Sequence, residues 1–391
     1  MNNFKYLVGN KNINQFSIEP YSKVACHFLS DLSKELSAIK QISEYPDIRT
    51  FAFFIRKQNI DSLKNKFLSE QVRLGLGLIF HITPSNIPTN FAYSLTFGLL
   101  TGNSNIVKVP SKKFEQISII CKTINRVLKK HKTIKKMITI VRYKGNDDYT
   151  KKISSICNGR LIWGGDNSID NVRKFSIRHR STDLAFADRY SLCIIDSEKI
   201  SKLNKNDIRR LAENFYNDTY AVDQNACSSP HLILWLGKLK NQARLKFLIS
   251  LKNIVDKKYN LNDAASVEKY TKLCNNILNL KNIKNHQMFG GSIYIITLKS
   301  LNKNIHNLRG KWGFFYEHEI SNLNQLKRFI NSKYQTLTYF GINKSVLKNF
   351  ILKNKFRGID RIVPIGQALN ISLFWDGYDL NKILTRVVDI K

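Results

Sequence analysis

The sequence predicts an α/β protein whose sheets are mainly parallel. Compact apolar runs of strand length recur along the chain, amphipathic segments of helical spacing alternate with them, and turn-forming residues separate the two. The predicted strands are residues 76–82, 105–110, 137–143, 160–165, 192–196, 231–237 and 292–298. The predicted helices are residues 87–102, 112–131, 147–157, 205–218 and 241–258.

Local signals support the individual elements. The run LGLIFHI (76–82) is continuously apolar and stops at the turn signal TPSN, and the helix after it stops at Gly102. Residues 22–45 and 58–73 have helical spacing and many charges, so they are predicted to form an amphipathic N-terminal region. Residues 50–56 are predicted to form a strand.

The formal net charge of +34 is extreme, and a basic protein can bind nucleic acid, an anionic membrane or an anionic small molecule. Lys is spread along the chain together with Asn and Ile, which favours a compositional bias of the source genome over a nucleic-acid footprint. The hydrophobic fraction of 43% indicates a globular protein rather than a disordered one.

Cysteine usage and the N-terminus indicate a reduced, cytoplasmic protein. The cysteines are far apart and form no CxxC pair, which argues against a zinc site and a disulfide scaffold. The first residues lack the apolar run of a secretory signal. The most apolar stretch, residues 74–100, contains His81, Asn86 and Asn90, so we interpret it as buried core rather than a membrane span. The cysteines are Cys26, Cys121, Cys157, Cys193, Cys227 and Cys274.

Two segments at the ends of predicted strands carry side chains suited to a ligand. In PSNIP (84–88), Asn86 could aim its amide at a developing oxyanion, and the alternative is an Asx turn. In GNSNIVKVPSK (102–112), Lys108 and Ser111 suit a nucleotide ribose or phosphate, and the alternative is a solvated Lys on a basic protein. Both segments lie where open parallel sheets bind ligands, at the carboxyl ends of strands.

The pair Gly164-Gly165 in IWGGD (162–166) directly follows a predicted strand. Glycine lets a backbone approach a phosphate closely, and a helix start favours anions. A plain tight turn is an equal alternative. Neither a GxGxxG fingerprint nor a P-loop is present.

Cys227 differs from the other cysteines in its sequence environment. It is flanked by small and polar residues in DQNACSSPH (223–231), which predicts an exposed thiol whose thiolate could act as a nucleophile. Cys121 and Cys193 lie in apolar runs and are predicted to be core. Taken alone, Cys227 is only a candidate.

Together and in this order, the four segments resemble the aldehyde-dehydrogenase superfamily. In that pattern a PxNxP turn comes first, a strand with Lys-Pro-Ser second, a glycine pair at the cofactor third and the nucleophilic Cys last. Lys108 and Ser111 are one residue off the usual spacing. The resemblance is closer to the LuxC-type acyl-CoA reductases, because DQNACSSP and the closing segments 329–342 and 357–388 are similar to theirs. It covers about residues 70–391.

The resemblance implies an aldehyde-dehydrogenase-like fold, in which two Rossmann-like α/β domains with parallel or mixed sheets have a cofactor cleft between them. Residues 1–196 are then expected to form an N-terminal region and an NADP-binding domain. Residues 197–356 would form the catalytic domain carrying the nucleophilic Cys, and residues 357–391 would return to the cofactor domain or an interface.

The resemblance also implies a reaction in which Cys227 takes up an activated, fatty acyl group while Asn86 and the Cys227 backbone N–H hold the oxyanion. The acyl-cysteine is then reduced to an aldehyde with NADPH, or with NADH. The residues implied to bind this cofactor are Lys108 and Ser111 at the adenosine ribose, Gly164 and Gly165 at the pyrophosphate, and Glu317 at the nicotinamide ribose, where Glu319 fits almost as well.

One absence bears on the chemistry. Hydrolytic aldehyde dehydrogenases activate water with a Glu, and the corresponding segment ADRYSLCIID (187–196) has none. Without that base an acyl-cysteine is not readily hydrolysed, which suits a reductase. Whether Glu213 or His231 assists proton transfer stays open.

The resemblance further implies an acyl-CoA or acyl-protein donor, an acyl-protein synthetase partner, a homo-oligomer and no metal. The predicted strands 50–56 and 76–82 could serve the oligomer interface. Within enzymes, the alternative is a reductase of another activated acyl group. The alternative outside enzymes is a basic nucleic-acid- or surface-binding protein on a catalytically degenerate aldehyde-dehydrogenase fold.

Overall fold

The computed structural model describes residues 4–67, 71–144, 147–238 and 241–391. The chain divides into two compact units, and a six-stranded sheet forms the centre of the first. This first unit comprises the chain up to Ala187 together with Ile371–Lys391. Its strands, numbered in chain order, are β1 (Lys5–Val8), β2 (Val72–Gly75), β3 (Leu78–Ile82), β4 (Ser104–Val109), β5 (Ile138–Arg142), β6 (Gly159–Trp163), β7 (Thr182–Phe186), β15 (Phe374–Trp375), β16 (Tyr378–Asp379) and β17 (Thr385–Val388).

The strand order of this sheet is β1-β5-β4-β3-β6-β7, and only β1 runs antiparallel to its neighbour. The chain passes from β3 to β4 and β5 on one side, and then returns to β6 and β7 on the other side of β3. This is a doubly wound arrangement with its switch point between β3 and β6. All five residues of β3 are buried, as expected for a central parallel strand.

One helix of the first unit, α2 (Pro46–Phe54), lies where a strand was predicted. Residues 50–56 fall largely within α2, so the strand prediction is wrong. Pro46 stands at the start of α2, and the buried residues Ile48, Phe51, Ala52 and Ile55 follow the helical period. The helices are α1 (Lys23–Ser37), α2 (Pro46–Phe54), α3 (Lys57–Phe67), α4 (Asn90–Leu100), α5 (Glu115–Val127), α6 (Lys132–Lys135), α7 (Asp147–Ile156), α8 (Asp166–Arg173) and α14 (Leu380–Ile383).

Most of the apolar stretch 74–100 is core, as predicted, although Ser85 and Asn86 in its central loop are exposed. Every residue of α4 from Phe91 to Leu100 is buried, and so is all of β3. Within the described residues, no helix is both long enough and apolar enough to cross a membrane.

The C-terminal segment is built into the first unit. Strand β17 pairs antiparallel with β2, which precedes the central strand β3. The side chain of Asn103 donates to the Leu384 carbonyl at 2.9 Å, and the Tyr21 hydroxyl donates to the Asn381 side chain at 2.8 Å. These buried bonds tie the last residues of the chain to its first sheet.

The second unit, Asp188–Asn370, contains a seven-stranded sheet with the order β10-β11-β12-β9-β8-β13-β14. Only the edge strand β10 is antiparallel to its neighbour. The strands are β8 (Tyr190–Asp196), β9 (Pro230–Leu236), β10 (Ile283–Phe289), β11 (Ile293–Leu298), β12 (Phe314–Ile320), β13 (Tyr334–Phe340) and β14 (Arg361–Pro364). The helices are α9 (Ser197–Ser201), α10 (Lys205–Thr219), α11 (Asn241–Lys258), α12 (Asp263–Asn279) and α13 (Lys344–Asn354).

The domain boundaries expected at residues 196 and 356 stay predictions. The two compact units instead divide the chain after Ala187 and after Asn370. Strand β8 ends at residue 196 but pairs with β9 and β13 of the second sheet. Strand β14 extends the same sheet beyond residue 356. Ladder partners far along the chain decide which sheet a strand joins, and a local apolar pattern does not encode them.

Candidate active site

Three neighbouring strand ends in the first sheet bring most of the predicted cofactor residues to one edge. Strands β4, β3 and β6 are adjacent and parallel, and Ile82 of β3 pairs with both Lys108 and Ile162. The segments that follow these strands therefore lie side by side. The strand ends and the segments after them carry the predicted site residues Asn86, Lys108, Ser111, Gly164 and Gly165.

Asn86 lies in the loop after β3 and its side chain is exposed to solvent. The start of this loop is tied to β4, because the Thr83 amide and hydroxyl both donate to the Lys108 carbonyl, at 3.1 and 2.9 Å. Asn86 thus stands a few residues beyond an anchored point, where its amide can meet a ligand.

Lys108 is half-buried at the end of β4, and its ammonium lies 5.0 Å from the centre of the Tyr143 ring. Burial lowers the pKa of Lys108 from its usual value. A partly desolvated ammonium attracts an anion more strongly than a fully solvated one does. Ser111 and Lys112 follow in an exposed bend.

Of the two glycines, Gly165 leaves open space above its backbone, whereas a Cβ atom built on Gly164 would lie 3.3 Å from the Ser168 Cβ atom. Gly165 caps α8, and a Cβ atom built on it would meet nothing within 4 Å. Its φ of −71° is accessible to any residue. Neither packing nor backbone strain therefore requires glycine at this position, whereas close approach of a ligand to the backbone would. This geometry fits the phosphates of a dinucleotide at a strand end.

The loop that carries Cys227 belongs to the second unit and is held by a buried amide. Asp223 and Gln224 both adopt left-handed backbone conformations, with φ of 55° and 59°. The Gln224 side chain donates to the carbonyls of Pro230 and Phe314 at 3.0 and 3.2 Å, and it accepts from the Gly313 amide at 3.2 Å. These bonds fix the reversal of the chain before Cys227.

Cys227 itself is anchored through its carbonyl. The Ser191 hydroxyl donates to the Cys227 carbonyl at 2.6 Å and accepts from the Thr336 amide at 3.1 Å. Ser191 and Thr336 lie near the amino ends of β8 and β13, so Cys227 sits at the amino-terminal edge of the second sheet.

The Cys227 residue is partly exposed, as predicted, while Cys121 and Cys193 are buried. Burial raises the pKa of both of these thiols to about 12, so they stay protonated at neutral pH. Cys26 is partly exposed, but burial raises its pKa to about 11. Cys274 is also partly exposed.

A guanidinium group belongs to the strand next to the one that helps to anchor Cys227. Arg361 begins β14 and pairs in register with Thr336, next to the Ser191 anchor. Burial lowers the pKa of Arg361, whereas the charges of Asp218 and Cys227 act in the opposite direction.

Main-chain oxygens hold Arg361 in place. Its guanidinium donates to the carbonyls of Gln367, Ala368 and Asn370 at 2.7–2.8 Å. Asp218 fixes the same turn, because its carboxylate accepts from the Gly366 and Ala368 amides at 2.6 and 2.8 Å. Burial raises the pKa of Asp218 to about 7, so this carboxylate titrates near neutral pH.

Sequence reasoning missed Arg361, Asp218 and Ser191 as site residues. Arg361 lies in RGIDRIVPIGQALN, a segment that carried the family resemblance, and this was the one available signal for it. Asp218 and Ser191 had no distinguishing local pattern.

Glu317 is buried in the second sheet and fully engaged within the chain. Its carboxylate pairs with Arg244 at 2.7 Å and accepts from the Trp235 ring nitrogen at 2.9 Å and the Thr297 hydroxyl at 2.7 Å. Its predicted contact with a nicotinamide ribose stays a prediction, and these partners give the carboxylate a structural role. Glu319 is exposed on the same strand.

The two candidates for proton transfer, Glu213 and His231, differ in their burial and in their pKa. Glu213 is partly exposed and forms an ion pair with Lys258, which lowers the pKa of the carboxyl. His231 is 4% exposed, stacks on the Tyr190 ring, and burial lowers its pKa to about 3. The imidazole is therefore uncharged at neutral pH. Within the described residues, no cluster of three or more His, Cys, Asp or Glu side chains could hold a metal ion.

Solved structures of aldehyde dehydrogenases share this fold. An NAD-dependent benzaldehyde dehydrogenase from Corynebacterium glutamicum is 12% identical and has a TM-score of 0.63, with 98% of this chain and 97% of that chain covered. A 1-pyrroline-5-carboxylate dehydrogenase from Thermus with bound NAD is 10% identical and has a TM-score of 0.64, with 93% and 80% covered. At this identity the likeness shows the fold, and the fold is that of the aldehyde dehydrogenases, as predicted.

The acyl-CoA reductase (LuxC) family profile matches residues 56–386. The chain belongs to this family, which confirms the resemblance seen in the sequence. A long-chain acyl-protein thioester reductase from Vibrio harveyi is 25% identical over 177 residues, which are 45% of this chain. The match spans 35% of that relative's length.

Proposed function

We propose that the protein is an acyl reductase that converts an activated acyl group to an aldehyde through a thioester on Cys227. The observation that carries the proposal is the partly exposed Cys227, which the Ser191 hydroxyl anchors at its carbonyl. We also infer that the Arg361 cation, whose pKa the charge of Cys227 raises, favours the thiolate form of Cys227. The family match over residues 56–386 supports a reductase and does not favour a nucleic-acid-binding protein on a degenerate fold.

In the acylation step, the Cys227 thiolate attacks the acyl carbonyl carbon. A bond from Sγ to carbon forms, the bond from carbon to the donor's thiol sulfur breaks, and the departing thiolate takes up a proton from solvent. We assign Asn86 and the Cys227 backbone N–H as hydrogen-bond donors to the oxyanion. The exposed Asn86 amide is compatible with this role.

A nicotinamide cofactor, when bound, supplies the hydride that reduces the thioester carbonyl. We assign Gly164 and the open backbone at Gly165 to its pyrophosphate, and Lys108 and Ser111 to its adenosine ribose. We propose NADPH rather than NADH, because the half-buried Lys108 ammonium would attract an additional phosphate.

The two acids of the segment 187–196 support reduction over hydrolysis. Asp188 pairs with Arg309 at 2.7 Å, and Asp196 caps helix α9 by accepting from two backbone amides. Both carboxylates of this segment are therefore engaged in structural contacts. A thioester on Cys227 would persist there until hydride arrives.

We propose a long-chain acyl thioester as the donor, carried on a protein or on CoA, because the Vibrio harveyi relative is named for an acyl-protein substrate. An acyl-protein synthetase as the partner, a homo-oligomeric assembly and a cytoplasmic location belong to the same proposal.

The direct test follows absorbance of the reduced nicotinamide while acyl-CoA esters of increasing chain length, and an acyl-protein thioester, are offered in turn. We expect acyl-dependent oxidation of NADPH and an aldehyde that a hydrazine reagent traps. If no donor gives aldehyde while the protein binds nucleic acid tightly and in a salt-sensitive way, the nucleic-acid alternative replaces this proposal.

The cofactor assignment predicts the behaviour of Lys108→Met. A charge-assisted hydrogen bond is worth roughly 1.5–3 kcal/mol, so its loss should raise KM for NADPH by about tenfold or more and affect NADH less. Lys113→Met is the matched control, because Lys113 is exposed beyond the end of the same strand. An equal KM for NADPH in Lys108→Met and the wild type would remove Lys108 from the cofactor site.

A further inference from the structure

The sheet of the second unit is irregular at one residue, Ser191. Between the pairs Tyr190–Tyr334 and Leu192–Leu337, strand β8 has the single residue Ser191, whereas β13 has two residues. On the other side of β8, the register against β9 also shifts between Ser191 and Leu192. Bulges of this kind interrupt the ladder of backbone hydrogen bonds, and they are frequent beside active sites, where they redirect a side chain.

The Ser191 side chain takes the place of a backbone group in the interrupted ladder. Its hydroxyl oxygen accepts from the Thr336 amide at 3.1 Å, and its proton goes to the Cys227 carbonyl at 2.6 Å. The whole residue is buried. Because a serine hydroxyl can donate and accept at the same time, this one group joins strand β13 to the Cys227 loop.

The Cys227 carbonyl belongs to the central peptide of a tight turn. The Ser229 amide donates to the Ala226 carbonyl at 2.9 Å, so Cys227 and Ser228 are the two central residues of this turn. A turn of four residues can hold its central peptide in two opposite orientations, which distinguish type I from type II turns. The bond from Ser191 stabilises the orientation in which the Cys227 carbonyl points to the buried hydroxyl.

Two different buried side chains hold the Cys227 loop. Gln224 bonds the segment before Cys227 to the carbonyls of Pro230 and Phe314, and Ser191 bonds Cys227 itself. The Cys227 backbone N–H lies between these two points along the chain. A hydrogen-bond donor stabilises an oxyanion best when its direction is fixed before the reaction. Ser191 is therefore placed to fix the main-chain donor at the nucleophile.

We propose that Ser191 is a positioning residue for acyl transfer to Cys227. By holding the Cys227 carbonyl, the hydroxyl keeps the Cys227 backbone N–H directed at the acyl oxygen while the acyl carbon becomes tetrahedral. Because Ser191 is buried, it acts through Cys227 rather than on the acyl group. This role rests on the proposed thioester mechanism, and it concerns the geometry of the nucleophile rather than the ionisation of its thiol.

The test compares two reactions of the Cys227 sulfur in full-length Ser191→Ala. Acylation by dodecanoyl-CoA passes through an oxyanion, whereas alkylation by iodoacetamide displaces iodide and forms none. We expect acylation to slow by about tenfold or more, because the donor is no longer held in place. The rate and the pH profile of alkylation should match those of the wild type. Mass spectrometry of the peptide that contains Cys227 measures both reactions.

Two further variants separate this role from a general effect on the sheet. Thr338→Val removes another buried hydroxyl from β13 and almost preserves the side-chain shape, so it should acylate at the wild-type rate. Ser191→Cys nearly keeps the side-chain volume but offers only a weak S–H donor, so its acylation should slow as well. The thermal midpoint of each variant is measured, and Ser191→Cys decides the question if Ser191→Ala does not fold.

Equal acylation rates in Ser191→Ala and the wild type would overturn this role for Ser191. A parallel loss of acylation and alkylation would also overturn it, and so would an equal loss of acylation in Thr338→Val. If wild-type Cys227 is alkylated but accepts no acyl group, the proposed thioester mechanism fails, and the role of Ser191 falls with it. The acylation of the wild type therefore distinguishes failure of the mechanism from failure of the Ser191 assignment alone.

Discussion

Cys227→Ser is expected to lose NADPH-dependent aldehyde formation by at least about a thousandfold, since the variant lacks the nucleophile that carries the acyl group. A serine hydroxyl is far less ionised than a thiol, and the Arg361 charge cannot make it an alkoxide at neutral pH. The wild type, incubated with radiolabelled acyl-CoA, should retain a hydroxylamine-sensitive label, and Cys227→Ser should retain none.

Cys274→Ser controls for a general effect of removing a partly exposed cysteine. It should keep both the acyl label and the reductase activity. Cofactor binding to Cys227→Ser, followed by nicotinamide fluorescence, should match the wild type, because the change adds no bulk. Full reductase activity in Cys227→Ser would contradict the thioester mechanism.

Arg361→Met should raise the pH at which Cys227 reacts with iodoacetamide by about one unit, since a nearby cation stabilises the thiolate and its loss favours the protonated thiol. Below the wild-type midpoint, the alkylation rate should then fall about tenfold, because only the thiolate reacts. The direction of the shift follows because removal of a nearby positive charge raises the pKa of a thiol, which moves its reactive range to higher pH. Acylation by acyl-CoA should slow in parallel.

Two further variants separate charge from structure. Arg361→Lys keeps the charge but cannot make all three bonds to the carbonyls of residues 367–370, so its reactive range should return most of the way to that of the wild type. Arg357→Met changes an exposed arginine just before β14 and should leave the alkylation profile unchanged. Identical profiles in Arg361→Met and the wild type would reduce Arg361 to a structural role.

Local patterns predicted much of the fold and part of the site. The apolar strand 76–82 and its TPSN turn correspond to β3 and the exposed Asn86 loop, because continuous burial and turn chemistry are encoded over a few residues. Residues 50–56 were misread since their aromatic residues favour a strand, although the helical period and Pro46 were present.

Contacts between distant segments could not be predicted in this way. Ser191, Thr336 and Arg361 come from three strands that become neighbours only through the order β8-β13-β14. Glu317 looked like a ligand contact by its place in FFYEHE, yet the fold surrounds it with Arg244 and Trp235. Such partners depend on sheet order, for which a single sequence has no local signal.

By itself, the sequence determined the α/β class, the family and the small polar setting of Cys227, because composition, periodicity and short motifs are properties of neighbouring residues. Only the tertiary structure decided that Lys108, Asn86 and Gly165 share one sheet edge and that Arg361 pairs in register with Thr336, next to the Ser191 hydroxyl that anchors Cys227. It also decided that a cavity opens where β8, β9, β12 and β13 end. The physical reason is that charge stabilisation and enclosure depend on distances in space, and strand pairing sets those distances.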